Sequence, residues 1–546
     1  MIKADKYVTR SLKELLASEC RDKNVRPKYK DGTEATTKFV TQRVFEYNIS
    51  EGEFPITTLR NTALKGALGE ILTIYRDQSN KQEDFLKNGV TWWGDWMNEH
   101  GNLGTAYAWN LEGGLTESRV IINREGISPQ GKVATEPYVI PKKPLHPPID
   151  HRIFQEGTDT EFFIVDNRYE KTKNGTYKYL IQFSKTGNTK TIRANDLTQS
   201  IKKGRPVRDV EGQLYYKYGY VSDKSLAEQN PDAFNKWCSM INRCFSADKC
   251  YSDVTMSEEW LLFDTFLSDL PYIPQYFTAK RENFSGWALD KDYYGGKHYS
   301  KDTCVFLSRR DNVSYERTNI KLKVKNLATG ATQYCFSVPD AAEFAGLRRG
   351  NLQSQIHRKG DLEDYYGHRF EILPGDTLIR KKLKFNQVNS LLYNMAHNPF
   401  SRRHYMSFFN FTEIDSKELV ECAFETMYSI REISNKRLVD MTLTSRSSDF
   451  ITAGIINQAQ YVMLGMMVCN HLTFHTGIEH KLGNFLHLVQ NLHMYERHIS
   501  AAKEMLAREP IDIQPTIELT CGPKDFYAHT IDDFKFNLPD GIKKLE

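Results

Sequence analysis

The chain has 546 residues, 73 Lys and Arg against 69 Asp and Glu, a formal net charge of +4 and a 40% hydrophobic fraction. That length favours several domains, and that composition excludes a disordered or collagen-like chain. Nine cysteines, an odd number in so long a chain, exclude the usual secreted disulfide scaffold. No stretch reads as a membrane span and the N-terminus lacks a signal-peptide pattern, so a soluble cytoplasmic protein is expected. The charge is uneven. Residues 112–385 hold 42 Lys and Arg against 35 Asp and Glu, a net +7, which leaves −3 for the rest. A basic middle between mildly acidic ends hints at a separate partner for the middle.

In chain order, TKFVTQRVFEYNI (37–49) has the β-branched and aromatic texture of a strand, and FPITTLR (54–60) follows. LKGALGEILTIYRD (64–77) places Leu64, Leu68, Ile71, Leu72 and Tyr75 at helical spacing. Residues 126–150 are Pro-rich without periodicity and read as linker. EFFIVDNRY, GTYKYLIQFS and TKTIRAND, within 160–200, read as short strands with polar turns. Residues 230–270 are helical and aromatic; Cys238, Cys244 and Cys250 recur there at six-residue steps, which is not a zinc spacing. VPDAAEFAG and RGNLQSQIHRKG read as two short helices within 337–358. FNQVNSLLYNMAHN (385–398) is an amphipathic helix stopped by Pro399, and INQAQYVMLGMMVCNHL (456–472) is apolar enough to expect a buried helix. The fold class is α/β, of the α+β kind.

One constellation suits chemistry on a nucleotide. Arg402, Arg403 and Arg446 offer charged forks for a phosphate. Cys422 is a soft nucleophile able to add to an electron-poor alkene such as C6 of uracil, and guanidinium groups beside a thiol favour the thiolate. Asn457 presents a donor and an acceptor together, as uracil O4 and N3–H require. Glu70, on the apolar helix, is a candidate acid/base.

These segments resemble the thymidylate synthase family in order and content, over roughly 20–111 and 385–535. The N-terminal run is EGEFPITTLR, GEILTIY, VTWWGDW and GNLGTAYAWNL; the C-terminal run is NPFSRR, the Cys422 strand, RSSD, the Asn457 helix, GNFLHLVQNLHMY and DFYAHTIDDF. The resemblance implies a mixed sheet with packed helices and a reaction in which Cys422 adds to C6 of dUMP. C5 would then take the one-carbon unit of 5,10-methylenetetrahydrofolate, with Glu70 and Tyr107 in the catalytic set. It implies that Arg446 and Ser447 hold the phosphate within one subunit and that Arg402 and Arg403 reach the phosphate of a partner, hence a homodimer. It places His493 and Tyr495 on the deoxyribose 3′-hydroxyl, Lys30 (with Arg26 as substitute) at the mobile N-terminal cation, and Trp93, Trp96 and Asp449 at the folate. Departures from the family pattern are Glu421 for the usual Pro before the cysteine, Ala423 after it, Ser445, and a tail ending LPDGIKKLE. A tail that closes poorly would admit water and yield a hydroxymethyl group, so a deoxyuridylate hydroxymethylase is the alternative. A DNA-binding or nuclease protein on an inactive synthase scaffold is another.

About 270 residues separate the two halves, an insertion whose closure entropy grows only slowly with length. The expected division is 1–111 and 385–546 for the synthase-like halves, 112–150 linker, 151–222 a β-rich module, 223–325 a nuclease module and 326–384 a DNA-binding module. FNKWCSMINRCF, YSDVTMSEEWLLFDTFLSDL and WALDKDYYGGKHYSKDTCVFLSRRDN resemble phage HNH-type homing endonucleases. That resemblance makes Asp290, Asp292, His298 and Asn312 candidates for a site holding Mg or another divalent metal; the ligand set is left open, with Lys291 and Thr303 departing from the pattern. FSVPDAAEFAGLRRGNLQSQIHRKG resembles nuclease-associated modular DNA-binding repeats, a helix-turn-helix with Gly346 at the turn. In it Arg348, Arg349, Arg358 and Lys359 would meet phosphates of double-stranded DNA, and Asn351, Gln353 or Gln355 would reach bases.

Overall fold

The computed structural model describes every residue outside 23–28, 30–31, 113–118, 122–151, 156–159, 172–174, 176, 184–188, 194, 198–206, 208–214, 216–217, 246–250, 252, 294–295, 315–319, 375–376, 378, 382, 410–419, 434–435 and 546. Lys30, Arg26 and most of the 112–150 linker lie outside the described residues. The chain divides into two compact units, Met1–Leu115 with Lys384–Glu546, and Thr116–Leu383.

The first unit is built on a five-stranded mixed sheet. Its strands are β1 (Thr37–Asn48), β2 (Tyr405–Ser407), β3 (Ala423–Ile433), β4 (Lys436–Asp449) and β5 (His480–Tyr495), in the order β1-β5-β4-β3-β2. Only β4 and β5 run parallel; the other neighbours are antiparallel. Helices α1 (Lys3–Ala17), α2 (Leu64–Ile71), α3 (Gln387–His397) and α4 (Ile455–Thr476) share a single apolar core with the sheet. A parallel pair cannot be joined by a hairpin, and α4 is the crossover that joins β4 to β5.

Each of these helices follows from its residues. In α2 the apolar positions Leu64, Leu68, Ile71, Leu72 and Tyr75 are all buried, although the α-helix ends at Ile71 and continues as a π-helical turn, Leu72–Arg76. Asn386 caps α3 by accepting from Asn389 N at 3.0 Å, and the helix stops at His397, two residues before Pro399. α4 is apolar on nearly every face, as a helix enclosed by its own fold must be. The sequence expectation that no stretch is long and apolar enough for a membrane is corrected here. Phe450–Thr476 meets that standard by length and composition, but most of it is buried in the unit's interior. FPITTLR forms no strand; buried Asp5 pins it by accepting from Thr57 Oγ1 (2.6 Å), Thr58 N (2.8 Å) and Thr58 Oγ1 (2.6 Å). Glu112 and Asn386 form an isolated antiparallel bridge, which brings the two ends of the interruption side by side.

The second unit holds several small cores. Arg152–Gln155, Thr160–Lys171, Tyr177–Phe183 and Thr189–Arg193 form an antiparallel sheet over Phe162, Ile181 and Phe183. The helix Pro231–Phe245 packs into an aromatic core with Trp237, Trp260, Phe263 and Phe266, in which Trp237 Nε1 donates to Trp260 O at 2.7 Å. Trp287–Asp290 pairs with Val305–Ser308, and the helix Arg309–Ser314 follows. Helices Val338–Phe344 and Arg349–Lys359 pack on a four-stranded sheet formed by Leu322–Asn326, Thr332–Cys335, Leu362–Tyr365 and His368–Ile372. Gly346, at φ +65°, makes the turn between these two helices, a backbone region in which Gly costs least.

Candidate active site

Cys422 immediately precedes β3, where that strand meets β4. Ala423 pairs with Ser445, and an irregularity follows between Ala423 and Glu425. Arg446 N donates to Cys422 O at 3.0 Å and so extends the ladder to the cysteine itself. The next two residues of β4 then face the thiol. Ser447 Oγ lies 3.7 Å from Cys422 Sγ, and Arg446 Nη2 lies 3.8 Å from it. The guanidinium of Arg446 also donates to Glu421 O (Nε, 3.0 Å) and Val420 O (Nη2, 2.7 Å). Arg446, expected from sequence to be a phosphate ligand, is in this structure a clamp on the backbone that carries Cys422.

Glu70, on α2, is 9% exposed and accepts from Trp92 Nε1 at 2.7 Å. Burial pushes its carboxyl up to about 7, against the opposing pull of donors on Trp92, Trp93 and Gln460. Tyr107 joins the two sides. Burial holds its phenol well above the usual range, and the nearby Cys422 and then Glu70 push it further the same way. Its ring meets Trp93 edge-on at 5.3 Å and Phe408 at 5.6 Å. Asn457 Nδ2 donates to Gln460 Oε1 at 2.6 Å, which fixes the rotation of an amide that can both give and accept.

On β4 and β5, Ser447 is in register with Asn491 and Asp449 with His493. The ring of His493 meets Tyr495 edge-on at 5.7 Å, and burial lowers the pKa of His493. Asp449 Oδ2 accepts from Thr452 and lies 4.0 Å from His498 Nδ1, while Asp449 Oδ1 is buried without a hydrogen-bond partner. Such an acceptor suits the amino and ring N–H donors of a pterin, so the residues present fit a folate. Trp93 packs against the core, whereas Trp96 is 57% exposed. Arg402 and Arg403 are both exposed, and among the described residues neither guanidinium forms an ion pair.

Sequence reasoning missed three members of this site. Trp92, which sequence reasoning did not single out, donates to Glu70 although it is 41% exposed; the WW pair marked the segment, but no periodicity in a loop decides which indole reaches the carboxylate. Glu421, read only as a departure, is 1% exposed and accepts from Tyr107 N at 2.8 Å and Asn110 Nδ2 at 3.0 Å. His487, buried and hydrogen-bonded to Ser445 Oγ at 2.9 Å, is held near pKa 3 by burial and is thus neutral under the site.

In the second unit, Asp290, Asp292 and His298 belong to no group of three or more His, Cys or acidic residues, among the described residues, close enough to share an ion. Asp292 pairs with Lys291 Nζ at 2.8 Å, and His298 Nδ1 is 2.9 Å from Thr255 Oγ1. Asp290 lies at a strand end and Asn312 on the helix beyond. Among the described residues, the groups of His, Cys and acidic atoms close enough to share an ion are His471, His475, Asp525 and Cys521, His529, Asp533, both in the first unit. Each already has internal partners: Phe526 N donates to His471 Nδ1 at 3.1 Å, and Asp533 takes Lys524 Nζ at 2.5 Å. The DNA-binding candidates Arg348, Arg349, Asn351, Arg358 and Lys359 are all exposed along one short helix and its start.

The site thus brings together a thiol with a guanidinium and a hydroxyl against it, and a buried carboxyl raised to about 7, on an α/β scaffold. The chain belongs to the thymidylate synthase family, whose model matches residues 10–124 and 252–539. That match runs into the second unit at 116–124 and again from residue 252, yet no described residue between Leu111 and Val388 is among the buried residues of the core around the sheet. Thymidylate synthase of Streptococcus gordonii is 35% identical over 162 residues, 29% of this chain and 56% of that one. Its Streptococcus mutans counterpart is 32% identical over 193 residues, 34% of this chain and 67% of that one. The chain thus spans little more than half the length of the first of these relatives. The structure of thermostable thymidylate synthase A from Bacillus subtilis aligns at TM-score 0.44 and 16% identity, covering 99% of this chain and 96% of that one.

Proposed function

We propose that the chain converts dUMP to dTMP, with Cys422 as the nucleophile. The observation that carries this reading is the meeting of Cys422 Sγ with Ser447 Oγ and Arg446 Nη2 at 3.7 and 3.8 Å. In this reading the thiol adds to C6 of the pyrimidine, and Arg446 and Ser447 hold the phosphate end. Asn457 reads the uracil edge, and His493 with Tyr495 holds the sugar. 5,10-Methylenetetrahydrofolate supplies the one-carbon unit and the hydride, next to Asp449, Trp93 and Trp96. Glu70, pushed up to about 7, both holds and releases a proton at neutral pH, as assistance at the pyrimidine requires. Arg402 and Arg403, exposed and without an ion pair among the described residues, are available to a phosphate across a dimer.

The methyl product is favoured over hydroxymethyl by the tail. Arg508 donates to Lys543 O (Nη1, 3.0 Å) and Lys544 O (Nη2, 2.6 Å), and Asn61 N donates to Lys543 O at 2.9 Å. Leu545 packs against the core. In this reading a tail anchored in this way keeps its place despite its altered composition, as the exclusion of water requires. Incubation with dUMP and methylenetetrahydrofolate, followed by mass spectrometry of the nucleotide, tests this. Thymidylate with dihydrofolate supports the synthase. Hydroxymethyl-deoxyuridylate with tetrahydrofolate makes the chain a hydroxymethylase, and no product with unmodified Cys422 leaves an inactive scaffold. Replacing Cys422 with Ser must abolish any product.

A second reading concerns the insertion, and the exposed basic helix Arg349–Lys359 favours it: this segment binds duplex DNA through phosphate contacts. Binding that weakens steeply with added salt, and weakens further in Arg349→Ala with Arg358→Ala, is expected. Equal binding by the double variant would count against it. Scission of the same duplex on adding Mg would extend the reading to the HNH-like hairpin.

A further inference from the structure

We propose that Glu421 is a positioning residue of the Cys422 site, tying the segment that carries the nucleophile to the backbone of Tyr107. The inference rests on the synthase reading of Cys422. Three observations support it. Glu421 immediately precedes Cys422 and is 1% exposed, so its carboxylate has been taken out of water, which is tolerable only where hydrogen bonds replace the water. One oxygen, Oε1, supplies two of them, accepting from Tyr107 N at 2.8 Å and from Asn110 Nδ2 at 3.0 Å, across more than three hundred residues of sequence. The residue it grips has an unusual backbone: Tyr107 sits at φ +44° and ψ −107°, a region a bulky L-residue enters only when its surroundings hold it there.

The rest of the segment is held to match. Arg446 takes the carbonyls of Val420, Glu421 and Cys422 through its side chain and its own N–H. On the other side, Gln387 Nε2 donates to Asn110 O at 2.7 Å and Asn110 Nδ2 donates to Thr105 O at 3.1 Å, so the Tyr107 turn is itself anchored. Residues 420–422 therefore lie between two clamps, Arg446 from β4 and the Tyr107–Asn110 turn through Glu421. Tyr107 in turn lies within electrostatic reach of both Cys422 and Glu70. Loss of the Glu421 carboxylate would leave the half-buried Tyr107 N–H without this acceptor. The turn would then relax, and thiol and phenol would lose their mutual placement without any group that touches substrate being removed.

The test uses the full chain and the rate of covalent adduct formation at Cys422 with 5-fluorodeoxyuridylate and methylenetetrahydrofolate, next to the rate of Cys422 alkylation by iodoacetamide. Misplacing a reacting group by an ångström costs up to about a hundredfold, so Glu421→Ala is expected to slow adduct formation by about tenfold or more. Glu421→Gln keeps an Oε1 acceptor in place and is expected to restore most of that rate. Asn110→Ala removes one donor only, and serves if Glu421→Ala does not fold; it is expected to slow adduct formation by a smaller factor. A Glu421→Ala chain that folds and forms adduct at the wild-type rate overturns the proposal, as does a Glu421→Gln chain as slow as the alanine variant. If the wild-type chain forms no adduct, the synthase reading fails by itself. The clamp is then judged by alkylation alone, where equal rates at Cys422 in wild type, Glu421→Ala and Asn110→Ala overturn it.

Discussion

Glu70 carries the prediction that belongs to single residues. Its carboxyl is raised to about 7 by burial, against 4.5 for an exposed group. A raised acid binds its proton more tightly folded than unfolded. The resulting stability is complete below about pH 4.5 and is lost as pH rises toward 7. Between those limits the wild type is expected to lose about 3 kcal/mol relative to Glu70→Gln, which has nothing to titrate. Urea unfolding of both chains at the two pH values measures it, and parallel behaviour would mean that Glu70 is solvated. The same substitution removes a general acid/base, so turnover is expected to fall by about 10²–10⁴-fold, read in the product assay. Cys422, Arg446 and Glu70 could be named as candidates from the sequence because they stand in a set of ordered motifs that resembles a family, not because of residue type alone. That Arg446 would grip the backbone at 420–422, and that Trp92 would be an indole on Glu70, was not legible there, because both depend on which groups the fold brings within hydrogen-bond range.

Among elements, α2 shows how closely backbone and function are packed. A Cβ on Gly69 would lie 2.0 Å from the carbonyl oxygen of Asn88, a backbone atom with little room to yield. Asn88 is held in turn, donating to Thr73 Oγ1 at 2.8 Å and Asp77 Oδ2 at 2.9 Å. Gly69→Ala gains about 1 kcal/mol of helix propensity but forces the helix off its support. Overpacking of this kind costs about 1–3 kcal/mol, so a net loss of up to about 2 kcal/mol is expected in chemical denaturation. Because Glu70 is the next residue, adduct formation at Cys422 should persist while turnover falls. The element boundaries read from periodicity lie close to those found: 37–49 against Thr37–Asn48, 385–398 against Gln387–His397, and 456–472 against Ile455–Thr476. Reading 64–77 as one helix missed the change to a π-helical turn after Ile71, since apolar spacing hardly distinguishes the two windings over a single turn.

At the scale of the whole molecule, the bridge between Glu112 and Asn386 is the informative contact. Asn386 Nδ2 also donates to Glu112 Oε1 at 3.4 Å, so the points where the interruption leaves and re-enters the first unit already touch. Replacing residues 113–385 by an Asn-Gly turn is therefore expected to give a cooperatively unfolding protein whose Cys422 still forms the 5-fluorodeoxyuridylate adduct. The core of that unit draws its buried residues from Ala4 to Leu111 and from Val388 onward, and so is left whole. An excised chain that expresses only as aggregate would mean that the second unit is needed for folding.

The sequence by itself determined the periodicities of the long helices, the alternation of the sheet and the supply of a thiol, guanidinium groups and an amide suited to a uracil nucleotide. These are local or compositional properties, and the ordered motifs on either side of the interruption also resembled the family to which the chain belongs. The tertiary structure decided which polar groups meet. It turned Glu421 from an apparent defect into the acceptor for Tyr107 and Asn110, and it showed that an apolar 22-residue helix, α4, lies mostly buried in the unit's core. It also left Asp290, Asp292 and His298 outside any shared ligand group among the described residues. Burial and hydrogen-bond partnership arise between residues hundreds of positions apart, and no local pattern in the chain encodes them.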